Sequence, residues 1–299
     1  MAKVCVIGLG DMGSGLAKNL LAAGFDVSGY DLKPNRMADF LAMGGLEASS
    51  TEEAAQGCDA AFVMVMHGGE AETVLFGEAG NGGLVSALPA GAVVIISATI
   101  KPGEMRALGE RLVGHDLQLV DSPVSGGRPG AQNGTLTMMA AGSESAMGRA
   151  QPFMEAVSGT IHRVGDEIGM GQTVKACLQS LIGSIFTGAF EATALAAKAG
   201  VSGEVLHKVF STSAAGCGIV NGSLDNVMNR RFEKTGSHIN TMHKDLTIAL
   251  DLAMELGVPL FTASTAMQMF QAGRTRHPEG DNQSVALITE EIIGTGLKR

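Results

Sequence analysis

The chain has 299 residues, no tryptophan, one tyrosine and only 4 % aromatic residues. Base-stacking platforms are therefore scarce, and a net charge of −9 repels a phosphate backbone. Nucleic acid is not an expected partner. No uninterrupted apolar run reaches the ~20 residues that cross a bilayer, and Met1-Ala2-Lys3 leads straight into Val4-Cys5-Val6-Ile7 without a cleavable signal pattern. A membrane is not an expected partner either, and the expected location is the cytoplasm. Cysteine is sparse. Cys5, Cys58, Cys177 and Cys217 lack metal-ligand spacing in a chain too long to need disulfide staples, so they read as reduced and mostly buried thiols. The seven histidines are dispersed without carboxylate or cysteine companions, and no metal site is expected.

Glycine is abundant, with 42 residues, about double the usual share. The glycines have no three-residue period, and 45 % hydrophobic residues supply a sizeable core. Short apolar runs (3–8, 26–31, 60–66, 92–97, 117–121, 135–141) alternate with helix-period stretches (11–23, 34–43, 70–76, 102–114, 144–157), the pattern of βαβ units. Strand-like runs stop near Val164. Beyond it the spacing is helical, over 168–200, 203–212, 238–256, 259–273 and 281–294. The expected fold is α/β: a Rossmann-type doubly wound parallel sheet over residues 1–164, then an all-α domain over 165–299. The first helix of that domain, about thirty residues, exceeds the usual ~10–14 and would link the two domains.

Gly8-Leu9-Gly10-Asp11-Met12-Gly13 follows an apolar run and opens a helical stretch. The first glycine suits a tight turn, the second a close approach to a pyrophosphate, and the third close helix–strand packing. A pyrophosphate would sit at the positive end of the helix starting near Asp11. Asp31 closes the second run, where a carboxylate binds the adenosine ribose hydroxyls and repels a 2′-phosphate. NAD is favoured over NADP, with Lys33 and Arg36 nearby as a partial offset.

Three later segments carry chemistry: Asp121-Ser122-Pro123-Val124-Ser125-Gly126-Gly127, Gly169-Met170-Gly171-Gln172-Thr173-Val174-Lys175 with Gln179, and Lys244-Asp245-Leu246. Ser125, Gly126 and Gly127 can present backbone N–H groups and a hydroxyl to a carboxylate; Arg128 reads as a solvated surface residue. Lys175 and Gln179 share a helix face one turn apart. With the N-terminal fingerprint, these segments resemble, in order over almost the whole chain, the four signatures of the β-hydroxyacid dehydrogenase family. The resemblance implies that Lys175 is the general acid/base, that Ser125, Gly126, Gly127 and Gln179 bind substrate, and that Lys244, opening a late helix, reaches the cofactor. Gln179 stands where the family usually has asparagine, so its carboxamide lies one methylene further out.

Two smaller matches concern the cofactor. Val65-Met66, closing the run 60–66, stands where the family has an apolar residue and proline. Thr99, in Ser97-Ala98-Thr99, stands where the family has Ser-Thr and keeps a hydroxyl for the nicotinamide side. His67 reads as a loop residue near the cofactor.

The expected substrate is a small hydroxy acid. The runs Val74–Glu78 and Ile95–Thr99, together with Gln179, look most like the branch acting on four-carbon sugar acids such as L-threonate or D-erythronate. Dehydrogenases of 3-hydroxyisobutyrate and reductases of tartronate semialdehyde are the alternatives. A catalytically silent NAD-binding interaction module and an imine reductase are two further readings; the presence of Lys175 weighs against both. By resemblance the all-α domain over 165–299 is expected to serve substrate binding and oligomerisation, the chain forming a homodimer or homotetramer.

Overall fold

Strands buried on both faces read as continuous apolar runs, and Val4, Cys5, Val6 and Ile7 are all buried. They belong to β1 (Lys3–Ile7), the strand from which the sheet grows in both directions. The structure, a computed structural model, describes residues 2–80 and 82–299. The chain forms two compact units, Met1–Lys175 and Ala176–Arg299.

In the first unit β1 is followed by α1 (Asp11–Ala22), β2 (Asp26–Tyr30), α2 (Pro34–Ala42), α3 (Thr51–Ala55), β3 (Ala60–Val63), α4 (Gly68–Phe76) and α5 (Leu84–Ala87). Then come β4 (Val93–Ile96), α6 (Pro102–Leu112), β5 (Gln118–Asp121), β6 (Val124–Ser125), α7 (Gly127–Asn133), β7 (Leu136–Ala141), α8 (Glu144–Val157) and β8 (Ser158–Gly165). The order is β2-β1-β3-β4-β5-β7-β6, with β8 on the other side of β7. The five strands β2, β1, β3, β4 and β5 are parallel, and β7 runs antiparallel to β5 and β6. The connection from β1 runs one way to β2 while β3 lies on the opposite side. This is the topological switch point, at whose carboxyl ends such sheets bind ligands.

The alternation of strands and helices follows the sequence reading, with differences at the margins. Residues 60–66 make a strand only to Val63, so Val65 and Met66 lie in the turn that follows. The short helices α3, α5 and α7 and the strands β6 and β8 were not separately expected. Of the four free cysteines, Cys5 and Cys58 are buried, whereas Cys177 and Cys217 are exposed.

The second unit is helical. α9 (Met170–Lys198) runs into it and is followed by α10 (Gly203–Thr212), α11 (Gly218–Met228), α12 (Ile239–Leu256), α13 (Phe261–Arg276) and α14 (Val285–Ile293). The boundary between the two compact units falls inside α9, after Lys175, rather than at 164/165. The physical reason is that the first turn of α9 hydrogen-bonds to the strand ends of the sheet. α11, rich in glycine and asparagine, had no helical signal of its own.

Phe186 and Phe190 of α9 stack at 5.7 Å, and Phe270 of α13 meets Phe186 edge-on at 6.1 Å. These three rings fill the space between α9 and α13. Among the described residues α9 is the one helix long and apolar enough, by length and composition, to cross a membrane. Its Phe190 is fully buried in the core, and its Gln172, Lys175, Gln179, Thr187 and Thr193 are buried polar residues, as in a core helix of a globular protein.

Candidate active site

The glycine loop is built by close approach. A Cβ on Gly13 would lie 1.8 Å from the carbonyl oxygen of Gly8, so only glycine allows α1 to start this close to the end of β1. Gly10 is the N-cap of α1 and has no side-chain acceptor. The N–H groups of Asp11, Met12 and Gly13 are therefore left to an external acceptor, the arrangement that suits a pyrophosphate. A Cβ on Gly10 would meet nothing nearer than the Arg36 guanidinium, at 3.4 Å, which adds a cation at the loop. These features fit a dinucleotide, with Asp11 and Met12 contributing backbone rather than side chain: the Asp11 carboxylate is largely exposed, 4.0 Å from Arg128, itself half exposed as the sequence suggested.

Asp31 follows β2 and is nearly buried, its side chain 6 % exposed. The Leu9 N–H (2.8 Å) and the Arg36 guanidinium (3.0 Å) donate to its Oδ2, and the Lys33 N–H (2.9 Å) donates to Oδ1. The carboxylate thus holds the glycine loop itself, and it is already paired with a cation. Val65 is partly buried against the sheet. Met66 is exposed, and its N–H donates to Glu70. His67, also exposed, is the N-cap of α4.

Ser125 ends β6, and Gly126 (φ 129°) and Gly127 (φ 58°) turn the chain into α7. Both φ values lie where a side chain is strained, so the pair is required by the turn. α7 rests directly on α1: a Cβ on Gly15 would lie 2.6 Å from Ala131, and Asn19 donates to both Gly15 O (2.8 Å) and Ala131 O (2.7 Å). The dinucleotide helix and the helix after Ser-Gly-Gly are therefore fixed to one another.

Lys175 is 6 % exposed in the second turn of α9. The start of that helix is tied down by Asp121, whose Oδ2 accepts from the Gly169 N–H (2.9 Å) and the Gln172 N–H (3.2 Å). Burial pushes the Asp121 carboxyl up to about 6, against the Gln172 and Gly169 donors that pull it down. Four residues after Asp121 comes Ser125, so the tie joins the segment leading into the Ser-Gly-Gly turn to the helix that carries Lys175. Thr99 follows β4 and is partly buried.

In the second unit Gly183 of α9 lets α12 come close; a Cβ there would lie 2.7 Å from Leu246. One turn earlier Gln179 donates to Asp245 Oδ2 at 2.5 Å, and the Lys244 ammonium lies 2.9 Å from Asp245 Oδ1. The longer arm of glutamine reaches this carboxylate. Two expected site residues, Gln179 and Lys244, are therefore joined through Asp245, which is 3 % exposed. Lys244 lies in the second turn of α12 rather than at its opening. His243 is held apart from them: Arg274 donates to its Nδ1 (2.9 Å), and its Nε2 pairs with Gln271 (2.7 Å).

Sequence reasoning missed the roles of Asp121, Gln172 and Asp245, although all three stood inside the quoted segments. Asp245, an acid beside a lysine, was the one local signal.

A family model described as the NAD binding domain of 6-phosphogluconate dehydrogenase matches residues 3–165. A second, described as NAD-binding of NADP-dependent 3-hydroxyisobutyrate dehydrogenase, matches residues 169–289. The chain is 35 % identical over 282 residues to L-threonate dehydrogenase of Cupriavidus necator, covering 94 % of each chain. It is also 35 % identical over 297 residues to L-threonate dehydrogenase of Escherichia coli, covering 99 % of this chain and 97 % of that one. A crystal structure of 3-hydroxyisobutyrate dehydrogenase from Salmonella typhimurium superposes with a TM-score of 0.87 at 33 % identity, covering 96 % of this chain and 100 % of that one. An N-terminal dinucleotide sheet, a helical second unit and this similarity over nearly the full length place the chain in the β-hydroxyacid dehydrogenase family, as an NAD(P)-dependent oxidoreductase acting on a CH–OH group.

Proposed function

We propose that the chain oxidises a four-carbon sugar acid, such as L-threonate or D-erythronate, to the 2- or 3-oxo acid. The reading rests on the 35 % identity over 94–99 % of the chain to two proteins named L-threonate dehydrogenase. The geometry agrees with a small, charged substrate. Backbone N–H groups and the Ser125 hydroxyl at the Ser-Gly-Gly turn hold the carboxylate. Lys175 takes the proton of the hydroxyl that becomes a carbonyl and returns it in the reverse direction. Gln179, with its Nε2 engaged by Asp245, offers the substrate its carbonyl oxygen, an acceptor for a hydroxyl group. Gly8, Gly10, Asp11, Met12, Gly13, Asp31, Val65, Met66, Thr99 and Lys244 hold the dinucleotide. When bound, the nicotinamide supplies the chemistry of accepting or giving the hydride.

NAD is the preferred dinucleotide in this reading because the carboxylate of Asp31 stands where a 2′-phosphate would need a cation. The chain acts in the cytoplasm as a homodimer or homotetramer, with no metal ion in the reaction.

A panel of L-threonate, D-erythronate and 3-hydroxyisobutyrate for oxidation, with tartronate semialdehyde for reduction, tests the substrate. The expected result is a kcat/KM with NAD at least about tenfold higher for a four-carbon sugar acid than for 3-hydroxyisobutyrate, a difference near 1.4 kcal/mol. Equal or reversed values would overturn the assignment.

A further inference from the structure

Gln172 lies in the first turn of α9, fully buried, and neither its identity nor its spacing marked it as a site residue. Its side chain makes three hydrogen bonds. The Nε2 donates to Asp121 Oδ1 (2.9 Å) and to the carbonyl of Ala98 (3.0 Å), and Oε1 accepts from the Ile100 N–H (3.0 Å). The carboxamide thus spends both N–H donors and an oxygen lone pair in a site without solvent. Its partners have a pattern. Ala98 and Ile100 bracket Thr99 on either side, and Asp121 begins the segment that leads to Ser125.

The helix can come this close because residue 171 is glycine. A Cβ there would lie 2.6 Å from Met139 O and 2.7 Å from Asp121 O. One side chain therefore touches the turn after β4, the end of β5 and, through its own backbone, the helix whose next turn carries Lys175. All of these residues belong to the unit Met1–Lys175.

We propose that Gln172 is a positioning residue: it clamps the backbone around Thr99 and the helix start at Gly169–Lys175 into one arrangement, so that the proton carrier and the nicotinamide side of the site keep a fixed separation. The inference rests on the reading of Lys175 and Thr99 given above. An unsatisfied carboxamide or carbonyl here would be buried without water, which makes the clamp effectively all-or-none. A displacement near 1 Å of an acid/base group can reduce turnover about 10²-fold while leaving binding intact.

The test is Gln172→Met, which keeps the length and apolar bulk and removes every donor and acceptor. Three measurements are made on the full chain: steady-state kinetics, NAD affinity by calorimetry, and hydrogen exchange without ligand in peptides covering 97–101 and 168–176. The expected result is a kcat lowered roughly 30- to 100-fold, with NAD affinity and substrate KM within about threefold. Exchange is expected to rise in both peptides together and not elsewhere in the sheet. Unchanged kcat, or faster exchange in only one peptide, would overturn the clamp. So would a loss of kcat that tracks a general loss of cooperative unfolding or a parallel loss of NAD affinity, since that marks a merely structural role. Lys175→Met run alongside separates the two levels. If it lowers turnover by orders of magnitude and Gln172→Met leaves kcat unchanged, the lysine reading stands and the clamp falls. If Lys175→Met turns over normally, the lysine reading falls, while a joint rise in exchange still marks the clamp.

Discussion

Lys175→Met is expected to lower kcat for hydroxy acid oxidation by roughly 10²- to 10⁴-fold, the range assigned to a positioned general acid or base. Methionine is close to lysine in length, is a good helix former and tolerates burial. The side chain is already 6 % exposed in the second turn of α9, so the variant should fold. What it loses is the amine. NAD affinity should change less than about threefold, because the proposed reading assigns the dinucleotide to the glycine loop and the Asp31 region rather than to Lys175, so kcat and kcat/KM should fall together. The chain has no tryptophan to report binding; calorimetry, or the emission of reduced cofactor, serves instead. A variant with wild-type turnover would remove Lys175 from the chemistry and reopen the reading of a silent binding module.

The second large effect is expected at the adenosine end. Asp31→Asn should raise the ratio of kcat/KM for NADP to that for NAD by about 30- to 150-fold, equivalent to roughly 2–3 kcal/mol of relieved charge repulsion. Asparagine is the informative substitution because Asp31 also accepts from the Leu9 N–H at 2.8 Å. An amide oxygen can keep that bond, whereas alanine would orphan a buried donor in the glycine loop and blur specificity with damage. The change has a second component. Arg36, now paired with the carboxylate at 3.0 Å, would lose its ion partner and become available to a phosphate. Arg36→Ala alone should therefore move the ratio the other way. Measured cofactor ratios that do not move in Asp31→Asn would sink the ribose assignment.

The α/β half was legible because parallel strands are covered on both faces: Val93-Val94-Ile95-Ile96 and Ala60-Ala61-Phe62-Val63 leave no polar side to confuse them with surface helices. α7 was not legible. Its Gly127, Pro129 and Gly130 carry no helical preference, and the helix exists because Ala131 meets Gly15 across the molecule. The same distinction divides the site. The glycine fingerprint, the Ser-Gly-Gly turn and the lysine helix are local patterns and could be quoted from the sequence. The bonds that orient them are not local. Gln172 reaches Asp121 across 51 residues and Ala98 across 74, and Gln179 reaches Asp245 across 66. A one-dimensional reading saw a glutamine in place of asparagine but had no means to see the carboxylate that the longer arm meets.

The buried carboxylate of Asp121 also links folding to proton concentration. Its folded pKa of about 6 lies above the 3.8 of an unperturbed aspartate. Between those values the folded chain binds a proton that the unfolded chain has released, and stability falls as pH rises through that window. The contribution of this group is fully present below about pH 4 and is lost once pH passes 6. At neutral pH the cap on the lysine helix is charged, which gives it the strongest grip on the Gly169 and Gln172 donors. The anchor thus works best where it favours the folded state least, so anchoring and stability have opposite pH optima at this one residue.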